Sequence, residues 1–156
     1  MNNSGFSQVI KVNKNAKLIL IGKDDNNPEI KSIVNKRDIK DNVLFTGVRS
    51  DIPDLLQAID IFLFPSLYEG LPVTLIEAQA SGLKILASDT ITNEVAITDN
   101  VEFMSLNKSA KAWADIIMKY SDGYERKDTS QEILSASYDV KQIANELENF
   151  YIKILK

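Results

Sequence analysis

Phe64-Pro65-Ser66-Leu67-Tyr68-Glu69-Gly70-Leu71-Pro72-Val73-Thr74-Leu75-Ile76-Glu77-Ala78-Gln79-Ala80-Ser81-Gly82 holds a strand end, a turn and a helix in immediate succession. The apolar run Ile61-Phe62-Leu63-Phe64 reads as a buried strand that Pro65 stops. Gly70 loosens the turn, and Pro72 suits the first helical position, where its missing N–H costs nothing. Ser81-Gly82 end the helix, so a helix of about ten residues starts directly after a strand.

The backbone N–H groups of such a start, around Val73, Thr74 and Leu75, form an anion site that the helix dipole strengthens, and phosphate is its natural guest. Glu69 precedes the same helix end, where it either compensates the dipole or serves as a binding carboxylate. Glu77 lies roughly 7 Å further along the axis at ~1.5 Å per residue, too far to cap the helix. Its neighbours Val73, Leu75, Ile76, Ala78 and Ala80 leave little polar face, so its carboxylate is expected to be semi-buried and to need donors such as ribose hydroxyls. The alternative is a glutamate that reaches solvent along one helix edge.

The 156 residues, 44% of them hydrophobic, suffice for one globular domain with a core, expected to span 1–156 as a single unit. A net charge of −4 recommends neither nucleic acid nor anionic lipid as a partner. No apolar run approaches about 18 residues and the start is polar, so a soluble, cytoplasmic domain is expected. Cysteine and histidine are both missing. That removes disulfides, thiolate metal sites, the usual general base and the usual transition-metal ligand, so no metal and no cofactor is expected.

Short apolar runs alternate with amphipathic stretches, the pattern of a doubly wound, Rossmann-like α/β domain with a parallel sheet. Strands are expected at 17–21, 42–45, 61–64, 84–87 and 102–104, and helices at 29–37, 51–58, 72–80, 93–98, 109–120 and 139–155. Residues 122–132 form the most polar stretch, read as a loop with a helix start. Trp113 with Ala110, Ile117 and Tyr120, and Ile143 with Leu147, Phe150 and Ile154, are apolar stripes at helical spacing.

Ligands of open parallel sheets bind outside the carboxyl ends of the strands. After the first strand comes Gly22-Lys23-Asp24-Asp25-Asn26-Asn27-Pro28, where the aspartates suggest a cation site less well than a turn leading into a helix at Pro28. Arg49, after the second strand, is either a ligand or a plain surface arginine, and Asp51 reads as an N-terminal helix residue.

Pro65-Ser66-x-x-Glu69-Gly70-Leu71-Pro72, then Glu77-Ala78-x-Ala80-x-Gly82, resembles the donor-site signature of the retaining family-four glycosyltransferases, two-domain enzymes of the GT-B fold. The flanks Val43-Leu44-Phe45-Thr46-Gly47, Ala58-Ile59-Asp60-Ile61-Phe62-Leu63 and Lys84-Ile85-Leu86-Ala87-Ser88-Asp89 agree. Gly47-Val48-Arg49-Ser50-Asp51-Ile52-Pro53 and Asn93-Glu94-Val95 are similar to the exopolysaccharide and capsule-assembly branch, and the likeness runs along 16–155.

The resemblance implies the carboxyl-terminal, nucleotide-binding half of a GT-B enzyme. Glu69 would be the catalytic-site carboxylate that holds donor-sugar hydroxyls, with the backbone of Gly70 and Leu71. Thr74 and Leu75 would give N–H groups to the diphosphate, and Glu77 would accept from the ribose. Val48 and Arg49 would border the base, and Gly22 would lie beside the nucleotide. The donor implied is a UDP-sugar, transferred with retention while the leaving phosphate assists deprotonation of the acceptor. The chain contains no Asp-x-Asp triplet, which suits the metal-independent GT-B type.

Before Lys17 the family has a glycine-arginine strand and a lysine-containing turn, and Phe6, Val9 and Ile10 resemble only the tail of the helix that follows. The first strand, both cations and the acceptor-binding amino-terminal domain are therefore expected outside this chain. Alone, the chain is expected to be inactive, with an exposed sheet flank. The acceptor would be a glycan or a lipid-linked glycan, with membrane contact only through the full-length enzyme. A GT-B-like epimerase or phosphorylase is the competing enzyme reading, and a free-standing nucleotide-binding or interaction domain is the non-enzymatic one.

Overall fold

The computed structural model describes residues 4–23 and 27–155. Helix α1 (Ser4–Val12) leads to strand β1 (Leu18–Ile21), helix α2 (Pro28–Lys36) and strand β2 (Val43–Gly47). Helix α3 (Ile52–Ala58) crosses to strand β3 (Ile61–Phe64), followed by helix α4 (Val73–Ala80) and strand β4 (Lys84–Ser88). Strand β5 (Val101–Met104) precedes helices α5 (Ala110–Met118), α6 (Ser130–Ser135) and α7 (Val140–Ile154).

Local chemistry explains most of these starts. Asn27 Oδ1 accepts from the Glu29 N–H at 2.9 Å while Pro28 occupies the first turn of α2. Ser109 caps α5 through the Ala112 N–H at 3.1 Å, and Asp139 caps α7 through the Gln142 N–H at 2.8 Å. At the end of α4, the N–H groups of Ser81, Gly82 and Leu83 turn back to Glu77, Gln79 and Ala78. Gly82 sits at φ 68°, and a Cβ there would lie 2.8 Å from the Lys127 carbonyl, so the stop requires glycine twice over.

All strand pairs are parallel, as the alternating pattern requires. They form two sheets, β1-β2 and β3-β4-β5, where a single sheet was expected. Among the described residues β1, β2, β3 and β5 each pair on one side only, so each sheet has two open edges that meet no strand. Each sheet has its own core. Val34, Ile39 and Val43 gather Phe6, Ile10, Leu18 and Leu20 around β1 and β2. Leu56, Leu75, Ile76, Leu83, Ile85 and Val95 form the larger core around β3 and β4. Helix α1 packs on α5 and so links the two halves.

The polar stretch 122–132 does more than connect. The Tyr124 hydroxyl accepts from the Lys84 N–H at 2.9 Å and donates to the Asp60 carbonyl at 2.8 Å, holding the starts of β3 and β4 together. The Arg126 guanidinium donates to the carbonyls of Leu56, Ile59 and Ser81, which closes the carboxyl ends of α3 and α4 with one cation. Buried Thr129 donates to the Gln79 carbonyl at 2.7 Å and leads into α6, an element that the sequence shows only as a helix start.

The helix expected over 93–98 is a single 3-10 turn, Asn93–Val95. Its continuation is prevented because the N–H groups of Ile97 and Thr98 are drawn to Gln79 Oε1 at 2.9 and 3.0 Å. Trp113 is buried as its stripe implies, with Nε1 donating to the Ser105 carbonyl at 3.2 Å. The stripe of α7 is largely exposed at Leu147, Phe150 and Ile154. No helix among the described residues is long and apolar enough to cross a membrane.

Candidate functional site

The segment after β3 folds as a turn over 65–72 and then as α4, so the strand–turn–helix succession read from the sequence is present. Pro72 stands one position earlier than expected. With φ −76° and ψ 93° it is extended and flanks the helix, which begins at Val73. No side chain caps this end. The Leu75 N–H bonds to the Pro72 carbonyl at 3.0 Å, a bond that an incoming anion must share or replace. The first N–H groups of the helix and its positive dipole end therefore lie where the loop over 65–72, which carries Glu69, joins α4.

Glu69 is half-buried, and its Oε1 accepts from the Ser66 hydroxyl at 2.8 Å. Gly70 and Leu71 are exposed beside it, as are Leu67 and Tyr68, the latter at 82%.

Glu77 is exposed, against the expectation of a semi-buried carboxylate. The physical reason is the phase of α4. Leu75, Ile76, Ala78 and Gln79 turn inward, whereas Val73, Thr74, Glu77 and Ala80 form a continuous exposed stripe at spacings of one, three and four. Apolar identity at Val73 and Ala80 hides this stripe in the sequence. Glu77 and Thr74 consequently share one face that starts at the uncapped helix end.

Sequence reasoning passed over Gln79. Its side chain has no exposed surface, and every polar atom of it is used. Nε2 donates to the carbonyls of Leu75 at 3.1 Å and Val95 at 2.8 Å. Oε1 accepts from the N–H groups of Ile97 and Thr98 and from the Thr98 hydroxyl at 3.1 Å. A polar residue on the buried face of an otherwise apolar helix was the available signal. Ser66 lay inside the quoted motif but showed no role there. Ser88, fully buried, and Thr90 both donate to its carbonyl, Thr90 at 2.9 Å.

The remaining candidates sit at the ends of β1 and β2. The Gly22 N–H donates to the Gly47 carbonyl at 2.9 Å, so two segments singled out separately are adjacent. Val48 is exposed at 69%. Arg49 is held by Asp51, with Nε donating to Oδ1 at 2.8 Å and Nη2 to Oδ2 at 2.5 Å. This fork takes the Asp51 carboxylate away from its helix, which it flanks without capping. The Arg49 hydrogen bond holds the Asp51 carboxyl below its usual range and raises the guanidinium in return. Asp24 and Asp25 lie outside the described residues. Among the described residues no three acidic, histidine or cysteine side chains gather where they could hold a metal ion.

The chain is 37% identical over 137 residues to EpsF of Bacillus subtilis, covering 86% of this chain and 36% of that protein. It is 33% identical over 147 residues to the N,N'-diacetylbacillosaminyl-diphospho-undecaprenol alpha-1,3-N-acetylgalactosaminyltransferase of Campylobacter jejuni, covering 90% of this chain and 38% of that one. The chain thus spans well under half the length of both relatives. Its fold matches the crystal structure of Anabaena HepE in complex with UDP at a TM-score of 0.67 and 22% identity, over 92% of this chain and 44% of that one. An α/β unit with parallel sheets thus corresponds to one half-sized part of a GT-B enzyme. The family model described as "Glycosyl transferases group 1" matches residues 5–149, and the chain belongs to that family.

Proposed function

We propose that residues 1–156 form the single carboxyl-terminal, donor-binding domain of a two-domain hexosyltransferase. It binds a nucleoside-diphosphate sugar, a UDP-sugar by preference, for retaining transfer in cell-surface polysaccharide assembly. The observation that carries this reading is α4: an uncapped helix start, preceded by Glu69 and continued by the exposed Thr74–Glu77 stripe. Phosphate oxygens accept from the N–H groups of Thr74 and Leu75, with the dipole opposing their charge. Glu77, one helical turn beyond Thr74, accepts from the ribose hydroxyls, and its exposure leaves it accessible to them. Glu69, with the backbone of Gly70 and Leu71, receives the sugar hydroxyls. Val48 and Arg49 border the base, and Gly22 lies beside the nucleotide.

HepE, solved with UDP, supports the choice of donor. The Campylobacter relative, named for an undecaprenol-linked acceptor, supports a lipid-linked glycan as acceptor, bound by the other domain of a cytoplasmic enzyme that meets the membrane peripherally. In this reading the leaving phosphate takes the acceptor proton, so the domain needs no histidine and no metal. Its contribution is orientation and charge stabilisation.

Calorimetric titration of the chain with UDP, GDP and ADP tests the site. UDP binding is expected, and Glu77→Gln should weaken it by about 1.5–3 kcal/mol, because a charged acceptor is replaced by a neutral one. Failure of all three nucleotides at millimolar concentration in a folded sample refutes the assignment.

A further inference from the structure

A short relay runs from the end of β4 to Glu69 through the backbone carbonyl and the side-chain hydroxyl of Ser66. Ser88, the last residue of β4, has no exposed surface and donates to the Ser66 carbonyl. The Thr90 hydroxyl donates to the same carbonyl at 2.9 Å and lies 3.1 Å from the Ser88 hydroxyl. Both lone pairs of one carbonyl are thereby filled by the last residue of β4 and the turn that follows it. The Ser66 hydroxyl has a single proton. It lies 2.8 Å from Glu69 Oε1 and 3.2 Å from the Tyr68 carbonyl, and the shorter, charge-assisted contact to the carboxylate is the stronger.

A half-exposed glutamate on a loop otherwise samples several rotamers, and fixing them costs free energy when a ligand binds. A donor on Oε1 selects one arrangement beforehand and leaves Oε2 with lone pairs to spare. Glu77 has no such partner among the described residues, so the two carboxylates differ: one is braced and one is free.

We propose that Ser66 is a positioning residue for the sugar-binding carboxylate. Ser88 and Thr90 hold its backbone, and its hydroxyl aims Glu69 at the donor sugar, so preference for a UDP-sugar over UDP depends on this relay. The proposal rests on the reading of Glu69 given above. The nucleotide itself, held by α4 and Glu77, does not use the relay, and this separates positioning from general damage to the fold.

The test titrates the chain with UDP and with UDP-glucose, UDP-galactose, UDP-N-acetylglucosamine and UDP-N-acetylgalactosamine, using the sugar nucleotide bound tightest. Ser66→Ala should lower the ratio of UDP-sugar to UDP affinity about tenfold, the size of one lost charge-assisted bond, with UDP affinity unchanged. Ser66→Thr, which keeps a hydroxyl, should restore the ratio. Thr90→Val removes a donor to the Ser66 carbonyl without touching Ser66 or Glu69, and should shift the ratio in the same direction by less. Should Ser66→Ala fail to fold, Thr90→Val decides. An unchanged ratio in the folded serine and threonine variants, with a lowered ratio in Glu69→Gln, overturns the relay and leaves the site reading standing. A ratio unchanged in Glu69→Gln, or no binding of any UDP-sugar by the unaltered chain, overturns the Glu69 reading and the relay with it.

Discussion

The side-chain amide of Gln79 donates to the Val95 carbonyl at 2.8 Å, deep in a core where neither residue is exposed to solvent. Val95 belongs to the turn after β4, and Gln79 belongs to the helix that starts at the proposed diphosphate site. With the bonds from Ile97 and Thr98 to Oε1, one side chain fixes how α4 sits on its sheet. A fully satisfied buried network of this kind specifies a single packing, and a partly satisfied one is costly.

Gln79→Leu is therefore expected to destabilise the chain by about 2–4 kcal/mol, although leucine is apolar and of similar size. The buried Thr98 N–H would lose its partner, and the Ile97 N–H and the Val95 carbonyl would keep only their bond to each other. Urea unfolding monitored by circular dichroism measures the change. A midpoint equal to that of the unaltered chain would show that the loop finds other partners.

The placement of this helix was legible because Ile61 to Phe64, Pro65 and Ser81-Gly82 are strong local signals, and each acts within a few residues of itself. All five strands were legible for the same reason, with ends shifted by at most two residues, as at β2, which runs on to Gly47. What escaped depends on residues distant in sequence. Arg126 reaches Leu56 across 70 positions, and Thr129 reaches Gln79 across 50. A polar stretch such as 122–132 reads as loop because no local pattern announces such partners. The exposure of Glu77 is hidden in the sequence because Val73 and Ala80 are apolar by identity but lie on the solvent side of α4. Periodicity reports which face is apolar, and a helix apolar nearly all round gives it little phase to report. The division into two sheets was equally invisible, since strand pairing is non-local.

Acid should weaken the fold in a definite window. Arg49 holds the Asp51 carboxyl below its ordinary value, Lys127 does the same for Asp99, and the Ser130 hydroxyl and N–H do so for Asp128. Each folded-state value lies below the unfolded one of about 3.9, so the associated stability is fully present above that pH. It is lost as pH falls through the folded values. The three groups are exposed, so the individual contributions are small and the two ion pairs are screened by salt. Thermal midpoints between pH 6 and pH 2 should fall below about pH 4. Asp51→Asn combined with Asp99→Asn should flatten that fall. A midpoint independent of pH over this range contradicts the pairing.

Hydrogen exchange should separate the strands by their partners. β4 is paired on both sides, by β3 and β5, and Ile85, Leu86 and Ala87 within it are buried. β1 is paired on one side only, and Ile21 at its end is 41% exposed. In a parallel ladder, amides of successive residues point to opposite sides, so about half of those in β1 face its open edge. These should exchange close to the rate of unstructured amides, while those of β4 open only with larger unfolding events and exchange orders of magnitude more slowly. β3 should resemble β1 on its open side and β4 on its paired side, because Ile61 to Phe64 lie opposite Lys84 to Ala87 alone. Uniform slow exchange across β1, β3 and β4 would mean that the open sides of β1 and β3 are protected in solution and would contradict the one-sided pairing.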